Sequence, residues 1–331
     1  MLFDRAVLPD FYMPYRPEGV NPRVAAAEAM MWRWLESWDL VPSESARRRV
    51  MATRPADMYA LWCPEVGVET LGLLSQFAAW AFIVDDQFDI ELPDPKRCLE
   101  TIGRLEVGFQ ATGMTTGVLA GSLRDLWRRL CYGRSQPWRN GVRAEMQEWL
   151  WSYYTESIRT VTGELPTLDE YRTHRQVSVG IYMLLDLSEI AYGFELPDPI
   201  RRLPALKSLR AAVTDHMGLI NDIHSLQADE AVGYKYNAVL LAEHYGVHPR
   251  TDAIEAVNDM LTDGIQRIHR LEGSLMRELD VLGVTEQERE DTIHTLGDYR
   301  RYLRANFDFH YRAPRYTSPP AEALEHGGLL T

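Results

Sequence analysis

Cysteine is scarce in this 331-residue sequence: Cys63, Cys98 and Cys131 are odd in number, widely spaced and without metal-ligand spacing. They read as free thiols of a reducing compartment, and no disulfide framework is expected. Basic charge is also short. Lys and Arg number 35 against 48 Asp and Glu, a net charge of -13, and no basic run or stripe occurs. That balance argues against a nucleic-acid partner. It also means that an anionic ligand must be held by local cations or metal rather than by the overall field. No apolar run approaches the roughly 18 residues of a membrane span. The opening MLFDRAVLPDFYMPYRP lacks a basic-then-apolar signal pattern, so a soluble cytoplasmic protein is expected. Missing too are GxGxxG, a Gly-rich phosphate loop ending in GKS or GKT, HExxH and GxSxG.

Period-two alternation is absent as well, whereas helical periodicity is widespread. Helices are expected near 22–38 (with Asn21-Pro22 as cap and first position), 67–90, 97–110, 118–132, 138–162, 168–192, 204–230, 235–246, 251–281 and 285–312. The breaks carry Pro or Gly. Connections are short, so an all-α single domain is expected over 21–316. Residues 1–20 would form an N-terminal segment and 317–331 a flexible tail.

Two polar clusters stand out. The apolar run FAAWAFIV ends in DDQFD, placing Asp85, Asp86 and Asp89 at a helix end. Positions i and i+4 share a face, so Asp85 and Asp89 can converge on one cation with Asp86 to the side. Carboxylates there are costly to bury unpaired, and a hard divalent cation such as Mg²⁺ suits them. Residues 221–229, NDIHSLQAD, set Asn221, Ser225 and Asp229 at i, i+4 and i+8. Each step of four drifts by only about 40°, so amide, hydroxyl and carboxylate oxygens share one stripe. Asp229 falls about 80° from Asn221 and Glu230 about 180°, which favours Asp229 as the ligand.

In these motifs the chain resembles the bacterial class I terpene synthases, over about Phe11 to Tyr316. Asp85, Asp86 and Asp89 match that family's aspartate-rich motif, and Asn221, Ser225 and Asp229 its Asn-Ser-Glu triad. Arg175, in YRTHRQVSVG, matches the diphosphate-sensing arginine, and Arg315-Tyr316 the terminal Arg-Tyr pair. The chain departs from the pattern in having Asp for the triad's Glu, Ala228 where Lys is usual, and Phe309 in place of Trp.

The resemblance implies a helical bundle around a central apolar active-site cavity, with residues 1–20 able to cover it. It implies Mg²⁺, three ions per site, and a linear isoprenoid diphosphate cyclised to a terpene. Farnesyl diphosphate is the expected substrate, with geranylgeranyl diphosphate the alternative, and a homodimer is common in the family. Arg175, Arg315 and Tyr316 would grip the diphosphate. Gly180 interrupts its helix, which reads either as a kink for packing or as a break giving Ser178 and Val179 linker and effector roles. Phe77, Trp80, Phe82 and Phe309 are candidates to line the cavity. A chain-elongating prenyltransferase is a rival, disfavoured because Asp85-Asp86 is the only Asp-Asp pair. A non-catalytic helical binding protein is the other.

Overall fold

A computed structural model describes residues 8–91, 94–115 and 117–317; side chains 89–91 and 317 lie outside that description. The described residues form α-helices joined by short turns, with no strand among them. After an extended stretch come α1 (Val24–Ser37), α2 (Glu44–Thr53), α3 (Pro55–Trp62) and α4 (Val68–Glu91). Then follow α5 (Pro95–Glu106), α6 (Val118–Leu130), α7 (Gln136–Thr162), α8 (Leu168–Ser178), α9 (Ile181–Tyr192) and α10 (Asp198–Arg201). The last third holds α11 (Pro204–Ala231), α12 (Ala238–His244), α13 (Arg250–Leu282), α14 (Glu286–Arg312) and α15 (Pro314–Thr317).

Local chemistry sets many of these boundaries. Thr167 and Thr285 start α8 and α14 with reciprocal capping boxes to Glu170 and Glu288, each cap contributing about 1 kcal/mol. Gly163 and Gly283 end α7 and α13 in left-handed conformation, which glycine adopts without a Cβ penalty. Asn21 does not cap α1, which begins at Val24. Its amide instead donates to the carbonyls of Cys63 and Val66, pinning the chain beside the end of α3. Helices α2 and α3 form within 40–66, where the sequence pattern predicts none. Both are short, and Arg54 in left-handed conformation separates them. The expected tail, 317–331, lies outside the described residues apart from Thr317.

Helix α11 packs against α13, α14 and α8, while α4 packs against α1 and α3, and α3 also meets α14. The segment Val68–Phe88 of α4 is long and apolar enough to cross a membrane by length and composition, with mean hydropathy 1.2, contrary to the expectation that no run qualifies. Here Leu71, Leu74, Phe77, Trp80, Val84 and Phe88 are buried within the protein. The cysteines are free and buried, as expected.

Candidate active site

A cavity opens where α3, α4, α7, α9, α11 and α14 converge, with the α8–α9 break on one wall and α15 at its rim. Its apolar wall includes Met58 and Trp62 from α3, Trp149 from α7, Met183 and Leu184 from α9, and Met217 from α11. Helix α4 lends Ala78, Ala81, Phe82 and Asp85, a spacing of three and four that defines one helical face. Phe82 and Phe309 line the cavity. Phe77 and Trp80 do not: they sit on other faces of α4, stacked on each other at 6.1 Å. Trp80 Nε1 donates to the Leu119 carbonyl at 3.2 Å.

At the first acidic motif neighbouring residues diverge, because one helical step turns about 100°. Asp85 faces the cavity. Its Oδ1 accepts from the Tyr153 hydroxyl at 2.7 Å, and its Oδ2 lies 3.4 Å from Arg315 Nη2. Asp86 turns towards α2, where Arg49 grips it in fork geometry, Nε 2.6 Å from Oδ2 and Nη2 2.7 Å from Oδ1. It is absent from the cavity wall and lies to the side of Asp85. Arg315 reaches both acids, with Nη1 3.7 Å from Asp86 Oδ1, and lies 5.7 Å over the Phe82 ring. The Asp89 side chain lies outside the described residues.

The second motif is more tightly organised. Asn221 Oδ1 accepts from Arg175 Nη2 at 2.6 Å, and its Nδ2 donates to the Tyr316 hydroxyl at 2.9 Å. The same amide lies 3.2 Å from His310 Nε2. Only one tautomer satisfies this arrangement. His310 Nδ1 lies 2.7 Å from the Asn306 carbonyl, so Nδ1 carries the proton and Nε2 accepts. Burial pushes the imidazole down to about 3, which keeps it neutral. One further helical turn along, Ser225 Oγ donates to Asp229 Oδ2 at 2.7 Å, and Asn237 Nδ2 donates to that oxygen at 2.9 Å. Burial raises the Asp229 carboxyl to about 6 despite these bonds. Helix α11 stays intact through Ala231. Glu230 therefore points outward, to a fork with Arg250 at 2.8 and 2.9 Å, and Asp229 is the acid on the stripe.

Arg175 is held by a second acid, its Nε 3.1 Å from Asp222 Oδ1. Asp222 also accepts from the Tyr171 hydroxyl at 2.7 Å and the Ala238 amide at 3.0 Å. Removing one partner of such a buried pair costs about 3–5 kcal/mol. A Cβ on Gly218 would stand 3.2 Å from Arg175 Cγ, so this glycine lets the arginine cross α11 closely. Tyr153, Asp222, His310 and Arg49 were not singled out for the site from sequence. Only Asp222 carried a signal, its place beside Asn221. The others arrive from helices distant in sequence.

The interruption at Gly180 is a true break. Helix α8 ends at Ser178, Gly180 has φ 70°, and α9 starts at Ile181. Ser178, Val179 and Gly180 all line the cavity beside Arg175.

The donor set fits Mg²⁺. Asn221, Ser225 and Asp229 offer hard oxygens, and the 2.7 Å between Ser225 Oγ and Asp229 Oδ2 is near the roughly 2.9 Å between adjacent oxygens on an octahedral Mg²⁺. No group of three or more His, Cys, Asp or Glu suited to a metal gathers among the described residues.

Comparison with known proteins agrees. Residues 76–267 match a family model described as terpene synthase family 2, C-terminal metal binding. The (2Z,6E)-hedycaryol synthase of Kitasatospora setae is 27% identical over 314 residues, covering 93% of this chain and 92% of the relative. A (-)-beta-caryophyllene synthase of Saccharothrix espanaensis, named as (2E,6E)-farnesyl diphosphate cyclizing, is 26% identical over 328 residues, covering 97% and 92%. The solved structure of hedycaryol synthase in complex with nerolidol aligns with a TM-score of 0.81 and 26% identity, covering 91% of this chain and 99% of that one.

Proposed function

We propose, since the chain belongs to the terpene synthase family, that it ionises farnesyl diphosphate and cyclises the resulting carbocation to a sesquiterpene in the cytoplasm. The observation that carries this reading is the cluster at the cavity mouth. Arg175, Asn221 and Tyr316 are joined by hydrogen bonds of 2.6 and 2.9 Å, Arg315 beside Tyr316 lies 3.4 Å from Asp85, and all five line the same largely apolar cavity. The caryophyllene synthase's named substrate supports the farnesyl chain length.

Asn221, Ser225 and Asp229 would hold Mg²⁺ on one side and Asp85 on the other, with Asp89 completing the first motif and three ions in the full site. Mg²⁺ supplies charge neutralisation for a leaving diphosphate. Arg175, Arg315 and the Tyr316 hydroxyl donate charge-assisted or neutral hydrogen bonds to its oxygens. Arg315 stands beside both acids of the first motif, 3.4 Å from Asp85 and 3.7 Å from Asp86. Asp86 serves as the anchor that keeps Arg49 and Arg315 at the rim. Ser178 and Val179 act at the helix break, where the backbone beside Arg175 can polarise the ionising substrate. Phe82, Phe309 and Trp149 present ring faces that stabilise a cation through their quadrupoles. The apolar wall keeps bulk water from quenching it. Residues 8–20 support a covering role: Phe11 packs 5.9 Å from the ring of His224 and 5.5 Å from Phe307, beside the second motif.

The test is incubation with C10, C15 and C20 diphosphates plus Mg²⁺, read by gas chromatography–mass spectrometry and by diphosphate release. The C15 substrate should be consumed to a volatile product, and chelation should stop it. Turnover of the C20 substrate alone would overturn the chain length, and no diphosphate release from any of them would overturn the enzyme.

A further inference from the structure

Two polar side chains in the cavity wall are not accounted for by diphosphate or metal binding. Trp62 on α3 and Asn306 on α14 both line the cavity and are 0% and 6% exposed. Trp62 Nε1 and Asn306 Nδ2 have no hydrogen-bond partner among the described residues. They belong to one region of wall. The Trp62 ring stacks on Tyr302 at 4.7 Å, and Tyr302 lies one helical turn before Asn306 on the same face of α14. Other orphaned groups, such as Trp138 Nε1 and Thr214 Oγ1, are not on the cavity wall. Ser178 Oγ is both orphaned and on the wall, but it sits one turn from Arg175, at the diphosphate end.

Buried donors persist only when something accepts from them. An isoprenoid tail is hydrocarbon and has no acceptor, and the diphosphate is claimed by Arg175, Arg315 and Tyr316 at the mouth. The remaining acceptor is a small oxygen species inside an otherwise apolar chamber. We propose that Trp62 and Asn306 hold one water molecule within the cavity, and that this water captures the final carbocation, so that the product is a terpene alcohol. The inference rests on the cyclase reading above and adds the class of product to it.

The valences agree with the role. The water accepts from the two donors left without a partner, the Trp62 N–H and Asn306 Nδ2. As the cation forms, one of these two hydrogen bonds opens and frees its lone pair for attack. A new C–O bond forms from that pair into the vacant carbon orbital. One O–H bond of the resulting oxonium breaks, and its proton passes to an oxygen of the diphosphate released in the first step. Nothing is oxidised or reduced.

The experiment incubates the full chain with farnesyl diphosphate and Mg²⁺ in H₂¹⁸O, beside an enzyme-free control, and reads products by gas chromatography–mass spectrometry. The wild type should give chiefly a sesquiterpene alcohol carrying one ¹⁸O. Trp62→Phe keeps the stacking ring and loses the donor, and Asn306→Leu keeps the volume and loses both polar atoms. Each should lower the alcohol-to-hydrocarbon ratio by roughly three- to tenfold, the scale of one lost hydrogen bond. The ratio is read per product formed, so a slower variant still reports, and Trp62→Phe alone decides if Asn306→Leu fails to fold. A wild-type product that is hydrocarbon only overturns the proposal, as does an unchanged ratio in both variants. Failure to release diphosphate from any substrate is a different result, and it strikes the cyclase reading itself.

Discussion

The two polar motifs, which reach the cavity through Asp85 and Asn221, are held very differently. On α11 every polar atom of the Asn221 amide is already engaged, and the half-buried Asp229 has two donors on one oxygen. On α4, Asp85 is partly exposed and held by one tyrosine and one long contact to Arg315. One wall is thus held by more hydrogen bonds than the other. In the proposed reaction the more closely bonded wall would fix where the diphosphate sits.

The largest effect should come from destroying either wall. Asn221→Ala and Asp85→Ala should each lower kcat/KM by more than roughly 100-fold, beyond what loss of an outer partner costs a metal site. Circular dichroism should stay unchanged. Near-normal turnover in both would remove the basis of the metal assignment.

A sharper cut separates adjacent acids on α11. Asp229→Ala should abolish Mg²⁺-dependent turnover, whereas Glu230→Ala should stay near wild type, since its exposed pair with Arg250 is worth little. Kinetics showing Glu230 essential and Asp229 dispensable would reverse the comparison between the two faces.

A smaller effect should expose the looseness of the α4 wall. Tyr153→Phe removes the hydroxyl 2.7 Å from Asp85, and should raise the Mg²⁺ concentration for half-maximal rate by roughly tenfold. Phe keeps the stack on Phe88 at 4.3 Å. A Mg²⁺ titration unchanged from wild type would show that Asp85 needs no positioning.

The smallest effect lies away from both walls and serves as a control. Burial raises the Asp298 carboxyl to about 7 in spite of Arg301. Its folded value exceeds its unfolded one, so its contribution to stability is full below the ordinary carboxylate range and declines as pH climbs towards 7. Asp298→Asn should flatten the fall in Tm between pH 4 and 7 (bounds set roughly by those two values) and leave product ratios alone. An identical Tm profile in the variant would contradict this.

Much of this architecture was legible in the sequence. Helix ends followed from caps and glycines, and the stripe of Asn221, Ser225 and Asp229 followed from rotation per residue. What was hidden depended on packing. Helix α4 is apolar on nearly all sides, so nothing in FAAWAFIV marked Ala78, Ala81 and Phe82 as the cavity face and Phe77 and Trp80 as core. The turn of Asp86 towards Arg49 required α2, a helix whose charged sequence gave no strong periodic signal. Tyr153 and His310 reach their partners across 68 and 89 residues of chain, a distance over which local pattern carries no information.

The three bonds around Asn221 also make the site a reader of chemical sense. An aspartate there would have the same outline, yet it would turn an acceptor towards the lone pair of His310 Nε2, where the amide now presents a proton. Shape would be conserved and polarity inverted. The pocket thus tells an amide from an acid of equal size, which explains why a side chain that looks interchangeable on a helix wheel occupies a position that admits only one of the two.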